Sequence, residues 1–179
     1  MSHHDHCIDF NLVVAAIGGK TITEGAEHIA YHYKFVFETA FASDRNRRHV
    51  IVVEDDFLFA PDFLLYFSQT APILDNDPTI YAISAYNDNG FMGKAFLDNM
   101  VYRTDFFIGL GWLVSRKHWT EEWATKWPRS HWDHFLRSPA NRRNRQTIYP
   151  EVSRVYHSGY QGTHSTIAMY EQYFRDIVL

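Results

Sequence analysis

Apolar positions along the chain change period several times, and each change marks an element. Phe10 to Ile17 is a short apolar run closed by Gly18-Gly19, which predicts a strand. From Gly25 to about Phe41 the spacing turns helical, because Ala26, Ile29, Ala30, Tyr33, Val36, Phe37 and Ala40 recur at three- and four-residue steps. Asp44 to Arg48 is a polar turn. His49-Val50-Ile51-Val52-Val53 follows, a β-branched run that reads as a buried parallel strand and ends abruptly in Glu54-Asp55-Asp56. Ala60-Pro61-Asp62 opens a second helix, with proline at its first position and an acid in its first turn. Phe63, Leu64, Phe67, Ala71 and Leu74 supply its apolar face, and Asp75-Asn76-Asp77-Pro78 stops it.

Ile80 to Ala85 predicts a further strand, running into the turn sequence Asn87-Asp88-Asn89-Gly90. Val101 to Thr104 and Trp112 to Val114 are strand candidates with Gly109-Leu110-Gly111 between them. Lys117 to Trp127 and Trp132 to Arg137 read as helices, Ile148 to Tyr156 as extended chain, and Met169 to Val178 as a final amphipathic helix. This strand–helix alternation predicts an α/β layer fold. Residues 1–8 are polar and His-rich and read as a disordered tail. His3, His4, His6 and Cys7 are also the donor types of a soft divalent-metal site, though an unpacked end is the simpler reading.

Composition then narrows the function. Lys+Arg number 17 against 21 Asp+Glu, a formal charge of −4, which excludes a nucleic-acid-binding domain of the usual basic kind. Hydrophobic residues at 46% and charged residues at 21% mark a globular sequence, and 179 residues suit one domain. Aromatics at 17% mean that the core is built around Phe, Tyr and Trp. One cysteine, Cys7, excludes an internal disulfide framework and a Cys-based zinc site. No apolar run reaches the length of about 18 residues that spans a membrane, and the opening residues lack the layout of a signal peptide.

Three stretches carry candidate chemistry. Glu54-Asp55-Asp56 places three carboxylates at the C-terminal end of an apolar strand, where ligands of open α/β sheets gather. Adjacent anions repel unless a cation or sugar hydroxyls occupy the site, and hard carboxylate oxygens suit Mg²⁺ or Mn²⁺ beside a substrate diphosphate. The plainer alternative is a cap on the following helix. In Trp132-Asp133, the neighbouring indole can desolvate the acid and make it a better base, unless it is a solvated helix acid. In Gly109-Leu110-Gly111-Trp112, two glycines either let the backbone approach a ligand or simply make a turn. His32 lies on the polar flank of the first helix. Arg142, Arg143 and Arg145 read as a solvated basic loop rather than a phosphate site. Gly159-Tyr160-Gln161-Gly162-Thr163-His164-Ser165 is either a lid that supplies donors to a phosphate or a plain connection.

The runs Val52-Val53-Glu54-Asp55-Asp56, Ala60-Pro61-Asp62-Phe63 and Ser84-Ala85-Tyr86-Asn87-Asp88-Asn89-Gly90 together closely resemble glycosyltransferase family 13, the β-1,2-N-acetylglucosaminyltransferase I family of N-glycan synthesis. So do Tyr102-Arg103-Thr104-Asp105-Phe106-Phe107, Gly109-Leu110-Gly111-Trp112, Lys126-Trp127-Pro128, Trp132-Asp133 and Pro150-Glu151-Val152-Ser153-Arg154. Their order and spacing agree, firmly from about Gly25 to Arg154. The resemblance implies a GT-A-type nucleotide-sugar transferase fold, a mixed sheet with flanking helices. Residues 9–179 would form a single partial catalytic domain that lacks the family's first nucleotide-binding strand. It implies UDP-GlcNAc as donor, Mn²⁺ as cofactor, and inverting transfer of GlcNAc to O2 of a terminal α-1,3-linked mannose of an N-glycan acceptor. Position by position, it implies that Asp56 binds the metal, Asp55 the ribose and Glu54 the GlcNAc hydroxyls. Asp133 would be the catalytic base, His32 would meet the nucleotide, and Leu110 and Trp132 would line the sugar pocket. Ser165 would contact the diphosphate, with Thr163 or His164 as alternatives.

The resemblance also implies the Golgi lumen, although relatives begin with a cytoplasmic tail, a membrane anchor and a stem that this sequence does not contain. Many relatives carry a cysteine pair at the positions of Ala82 and Thr147, and a proline at Ile108. Tyr156-His157-Ser158-Gly159 departs from the commonest form of its strand. Two other readings stay open. One is a non-catalytic remnant that binds donor weakly or partners a longer enzyme. The other is the related protein-O-mannose β-1,2-GlcNAc transferase, which differs in its acceptor.

Overall fold

The computed structural model describes residues 22–160 and 166–179. The predicted tail 1–8 and strand 10–17 lie outside these residues. The chain runs through α1 (Ile22–Ser43), β1 (His49–Val52), β2 (Phe57–Phe59), α2 (Phe63–Asn76), β3 (Ile80–Ser84), β4 (Val101–Thr104) and β5 (Trp112–Ser115). A π-helical turn (His118–Trp123) leads to α3 (Trp132–Arg137), α4 (Pro139–Arg142), β6 (Gln146–Pro150) and β7 (Val155–His157). The chain ends in α5 (Ile167–Met169) and a second π-helical turn (Tyr170–Phe174). Five strands form a mixed sheet in the order β1-β5-β3-β6-β4, and β2 pairs with β7 apart from it. The expected mixed α/β architecture with flanking helices is therefore the one observed.

The central strands of the sheet are buried on both faces, and in β1 and β5 the period of two sorts side chains between them. In β5, Trp112 and Val114 enter one layer while Leu113 enters the other. In β1, Val50 and Val52 face the first layer and Ile51 packs against the second. The first layer takes the apolar stripe of α1, with Ala30 and Phe37 fully buried, and gathers Trp119, Trp123, Trp132 and Leu136. The second takes α2 through Phe63, Phe67, Ala71 and Leu74.

Several expectations need correction. β1 is not parallel to its neighbour: it pairs antiparallel with β5, from His49 opposite Ser115 to Val52 opposite Trp112. An apolar strand covered on both sides looks alike in either direction, and among the described sheet pairs only β3–β6 is parallel. Pro61 does not open α2, which starts at Phe63 after Asp62. The Asp62 side chain makes no cap bond and instead pairs with Arg154 at 3.0 Å. The helix predicted from Lys117 to Trp127 is a π-helical turn, in which Ala124 donates to the carbonyl of Trp119 five residues back. His118, Trp119 and Trp123 are all buried there. The extended run Ile148–Tyr156 is split between β6 and β7, which belong to different sheets. The last helix ends at Phe174, and no residue of it is fully buried.

The loops over one end of the sheet are cross-braced by buried polar groups. Arg154, 5% exposed, donates to the carbonyls of Val152 and Asp98, and its backbone N–H donates to Ala85. Glu151 accepts from the N–H groups of Phe96 and Leu97 and from the Tyr102 hydroxyl. Asn87 donates through its backbone to the Ser153 hydroxyl and through its side chain to the Glu151 carbonyl. The Arg154 and Asn87 bonds satisfy backbone groups that buried loop segments would otherwise leave unpaired, and the exposed Glu151 bonds tie the neighbouring loop down. Ala82 and Thr147 are directly paired across β3 and β6 and both fully buried.

Candidate functional site

The acidic triplet forms the turn between β1 and β2, which the Phe57 N–H closes by donating to the Glu54 carbonyl. Val53 and Phe57 are buried on either side, so the carboxylates are anchored between two core residues. Glu54 is half-buried and accepts a 3.0 Å hydrogen bond from the Tyr33 hydroxyl on α1. Burial pushes its carboxyl up to about 7; the Tyr33 bond opposes this, and the charges of Asp56, Asp55 and Asp133 add to it. Tyr33 is itself raised well above the usual phenol range, first by burial and then by Glu54. Asp55 is exposed.

The antiparallel pairing of β2 with β7 sets Phe57 opposite His157 and brings the imidazole to the Asp56 side chain. His157 Nε2 lies 3.4 Å from Asp56 Oδ2. The ligand atoms of Glu54, Asp56 and His157 all fall within 4.8 Å of one another. Asp56 Oδ1 and His157 Nδ1 are buried without hydrogen-bond partners. Ser158 holds the backbone of this turn, donating from its N–H at 2.9 Å and its hydroxyl at 2.6 Å to the Asp56 carbonyl. Gly159 leaves room for this carboxylate, since a Cβ there would stand 2.1 Å from Asp56 Oδ2.

α3 delivers the second acid to the same region. Asp133 is near enough to Glu54 and Tyr33 for its charge to act on both. What grips its carboxylate is a cation one helical turn on, Arg137 at 2.5 Å, with His134 at 3.9 Å. Arg137 is fixed in turn by a 3.2 Å bond to the Phe107 carbonyl and by the Phe106 ring, 4.4 Å away. Trp132 is 8% exposed, stacked on Tyr33 at 4.2 Å and on Trp112 at 5.8 Å. The glycines around Leu110 serve packing. A Cβ on Gly109 would come within 2.9 Å of the Trp132 ring, and Gly111, at φ +57°, would meet Val155 at 2.8 Å. Leu110 itself packs, partly buried, against the second core layer.

His32 lines a cavity along β1 together with Tyr33, Val36 and residues Ile51 to Glu54. Its Nε2 is buried without a partner, and burial lowers its pKa. The structure therefore brings His32, Glu54, Asp56 and Asp133 to one region. Ser165, Thr163 and His164 lie outside the described residues. The basic cluster is solvated only at Arg143: Arg145 is part-buried and makes two bonds to Glu122 at 2.7 and 3.0 Å, and Arg142 is part-buried and pairs with Asp105 at 3.2 Å.

Sequence reasoning did not assign Tyr33, Arg137 or His157 to the site. Tyr33 and Arg137 carried a signal in helical spacing, with Arg137 four residues after Asp133. His157 had none, because its place depends on a strand pairing about 100 residues apart in sequence. A divalent cation fits this corner. Two carboxylates and an imidazole offer a mixed oxygen and nitrogen donor set, and two of their buried atoms are orphaned.

The comparisons with known proteins identify the family. Over 153 residues the chain is 43% identical to alpha-1,3-mannosyl-glycoprotein 2-beta-N-acetylglucosaminyltransferase of Arabidopsis thaliana, which covers 84% of the chain and 33% of the relative. The chain thus spans about a third of that relative's length. Residues 1–179 match the GNT-I family throughout, and the chain belongs to that family.

Proposed function

We propose that this chain carries the donor-binding and base-bearing part of an inverting glycosyltransferase. In this reading it moves GlcNAc from UDP-GlcNAc to O2 of a terminal α-1,3-linked mannose on an N-glycan, in the secretory pathway and within it the Golgi lumen. Residues 9–179 then belong to a GT-A-type catalytic domain. The observation that carries the reading is the convergence of the acidic turn and α3 through Tyr33, which bonds Glu54 and stacks on Trp132, the residue before Asp133. The Arabidopsis relative, named for transfer of this sugar to this class of acceptor, supports it.

Asp133 accepts the proton from the acceptor hydroxyl as that oxygen attacks the anomeric carbon and UDP departs from the opposite face. Arg137 keeps the carboxylate oriented for that transfer. Glu54, fixed by Tyr33, binds the GlcNAc hydroxyls; Asp55, exposed at the tip of the turn, binds the ribose; and His32 meets the nucleotide from α1. Leu110 and Trp132 bound the sugar. Asp56 holds the divalent cation, Mn²⁺ in this reading, which when bound supplies positive charge against the departing diphosphate.

The test is calorimetric titration of UDP-GlcNAc with and without Mn²⁺, followed by a transfer assay on a mannose-terminated glycan. Asp133→Asn is expected to abolish transfer, by a factor of at least about 10², and to leave donor binding within about twofold. Equal loss of both would assign Asp133 a structural role and overturn its assignment as the base.

A further inference from the structure

We propose that His157 is a second protein ligand, through Nε2, to the divalent cation held by Asp56, so that this chain binds its metal before any nucleotide. The inference rests on the reading of Asp56 as a cation ligand. Asp56 alone offers one carboxylate, and a hard cation held so sparsely depends on substrate phosphates to complete its shell. His157 changes that count. It is 6% exposed, and its Nε2 is 3.4 Å from Asp56 Oδ2. That is longer than a good hydrogen bond between these atoms. Adjacent ligands of an octahedral shell sit about 3 Å apart for metal–ligand bonds near 2.1 Å, so a small side-chain shift would bring both atoms onto one cation.

The ring plane is set independently of any metal. His157 stacks on Phe174 at 4.8 Å and 24°, and Phe57 lies against it at 5.8 Å. Asp56 Oδ1 is buried without a hydrogen-bond partner and so is left for a cation to answer. A buried acceptor left unpaired is costly, so a cation bound there removes a penalty as well as neutralising charge. Gly159 removes the one Cβ that would force carboxylate and imidazole apart, at 2.1 Å from Asp56 Oδ2 and 3.0 Å from His157 Cε1. Glu54 is the third donor within reach. An imidazole among oxygens also softens the site, favouring Co²⁺ over Mn²⁺ more than carboxylates alone would.

The experiment is pulsed electron paramagnetic resonance on the full chain loaded with Mn²⁺ and no nucleotide. The expected result is nitrogen modulation from a directly bound imidazole, changing from the ¹⁴N to the ¹⁵N pattern when the protein is labelled with ¹⁵N-histidine. In His157→Asn the modulation should vanish. The Mn²⁺ dissociation constant should rise at least about tenfold, since losing an outer-shell partner alone costs 10–100-fold, and the preference for Co²⁺ should shrink. The labelling arm uses the unmutated protein and so does not depend on a variant that folds. Mn²⁺ bound in an Asp56-dependent way but without nitrogen modulation would overturn the role of His157 and leave Asp56 as ligand. An imidazolium–carboxylate pair would give that outcome. Undiminished Mn²⁺ binding by Asp56→Asn would overturn both assignments, and no Mn²⁺ binding without nucleotide would overturn this one.

Discussion

The tryptophan-rich layer and the acidic turn meet at Tyr33 and are built in opposite ways. In the first, Phe37 is enclosed by Trp119 at 4.9 Å, Trp127 at 5.6 Å and Trp112 at 5.9 Å, and α1, β5 and α3 all contribute rings. In the second, three consecutive carboxylates share one turn, with a neighbouring imidazole and two unpartnered buried atoms. Dispersion and burial stabilise the first, while mutual repulsion and partial desolvation work against the second. The contrast places the fold's stability in one region and its chemistry in the other. A site that must bind cations and hydroxyls keeps its groups unsatisfied until a ligand arrives, and the rest of the molecule carries that cost.

The largest effect separates the two regions outright. Phe37→Ala is expected to destabilise the protein by about 3–5 kcal/mol, as for other fully buried aromatics. Asp56→Asn, measured by the same urea unfolding without divalent cations, should change stability by less than about 1 kcal/mol, toward greater stability, because it removes one of the repelling charges. Comparable losses in both would mean that the acidic turn is part of the structural core, and the contrast would fail.

How much of this was legible in the sequence follows the same division. The acidic triplet was legible because it is contiguous and follows a β-branched run. α1 was legible because its stripe repeats at helical spacing. β2 was not, since Phe57-Leu58-Phe59 is three residues between an acidic turn and Ala60-Pro61, too short for a period to register. The direction of β1 was hidden because its partner, Trp112 to Ser115, lies some 60 residues away and both strands are covered on two faces. Arg145 and Arg142 looked solvated because their partners, Glu122 and Asp105, are distant in sequence. The family motif ending in Arg154 marked the family correctly. Its side chains serve largely as braces: Glu151, Ser153 and Arg154 tie the loops over the sheet, and sequence proximity to the site gave no hint of that role.

A titrating group inside the tryptophan side offers a second test. His118 stacks on Trp123 at 5.5 Å and meets the Ser115 hydroxyl at 2.9 Å. Burial lowers its pKa to about 4; Arg145, Lys117 and Arg143 push the same way, and Glu122 opposes them. The native imidazole therefore stays neutral where the unfolded one takes up a proton. This stability is fully present above the ordinary value of about 6.5 and is lost as pH falls from there toward 4, by on the order of 3 kcal/mol. The stability gap between the wild-type protein and His118→Gln should narrow across that window in urea unfolding at pH 7, 5.5 and 4.5. A gap that stays constant would show that the imidazole is as free to protonate in the folded state as in the unfolded one.

The smallest effect concerns the junction. Tyr33 belongs to both regions: its ring lies 4.2 Å from Trp132 in the aromatic stack, and its hydroxyl donates to Glu54. Tyr33→Phe keeps the stack and removes only the bond, so its cost isolates what the aromatic layer contributes to holding the acidic turn. A double-mutant cycle of Tyr33→Phe with Glu54→Gln should give a coupling of about 1 kcal/mol in unfolding free energy. Donor affinity is the more telling readout. If a rigid aromatic base positions Glu54 for the sugar, Tyr33→Phe weakens UDP-GlcNAc binding severalfold, and adding it to Glu54→Gln weakens binding no further. Independent, additive losses in affinity would mean that the two regions touch without one positioning the other.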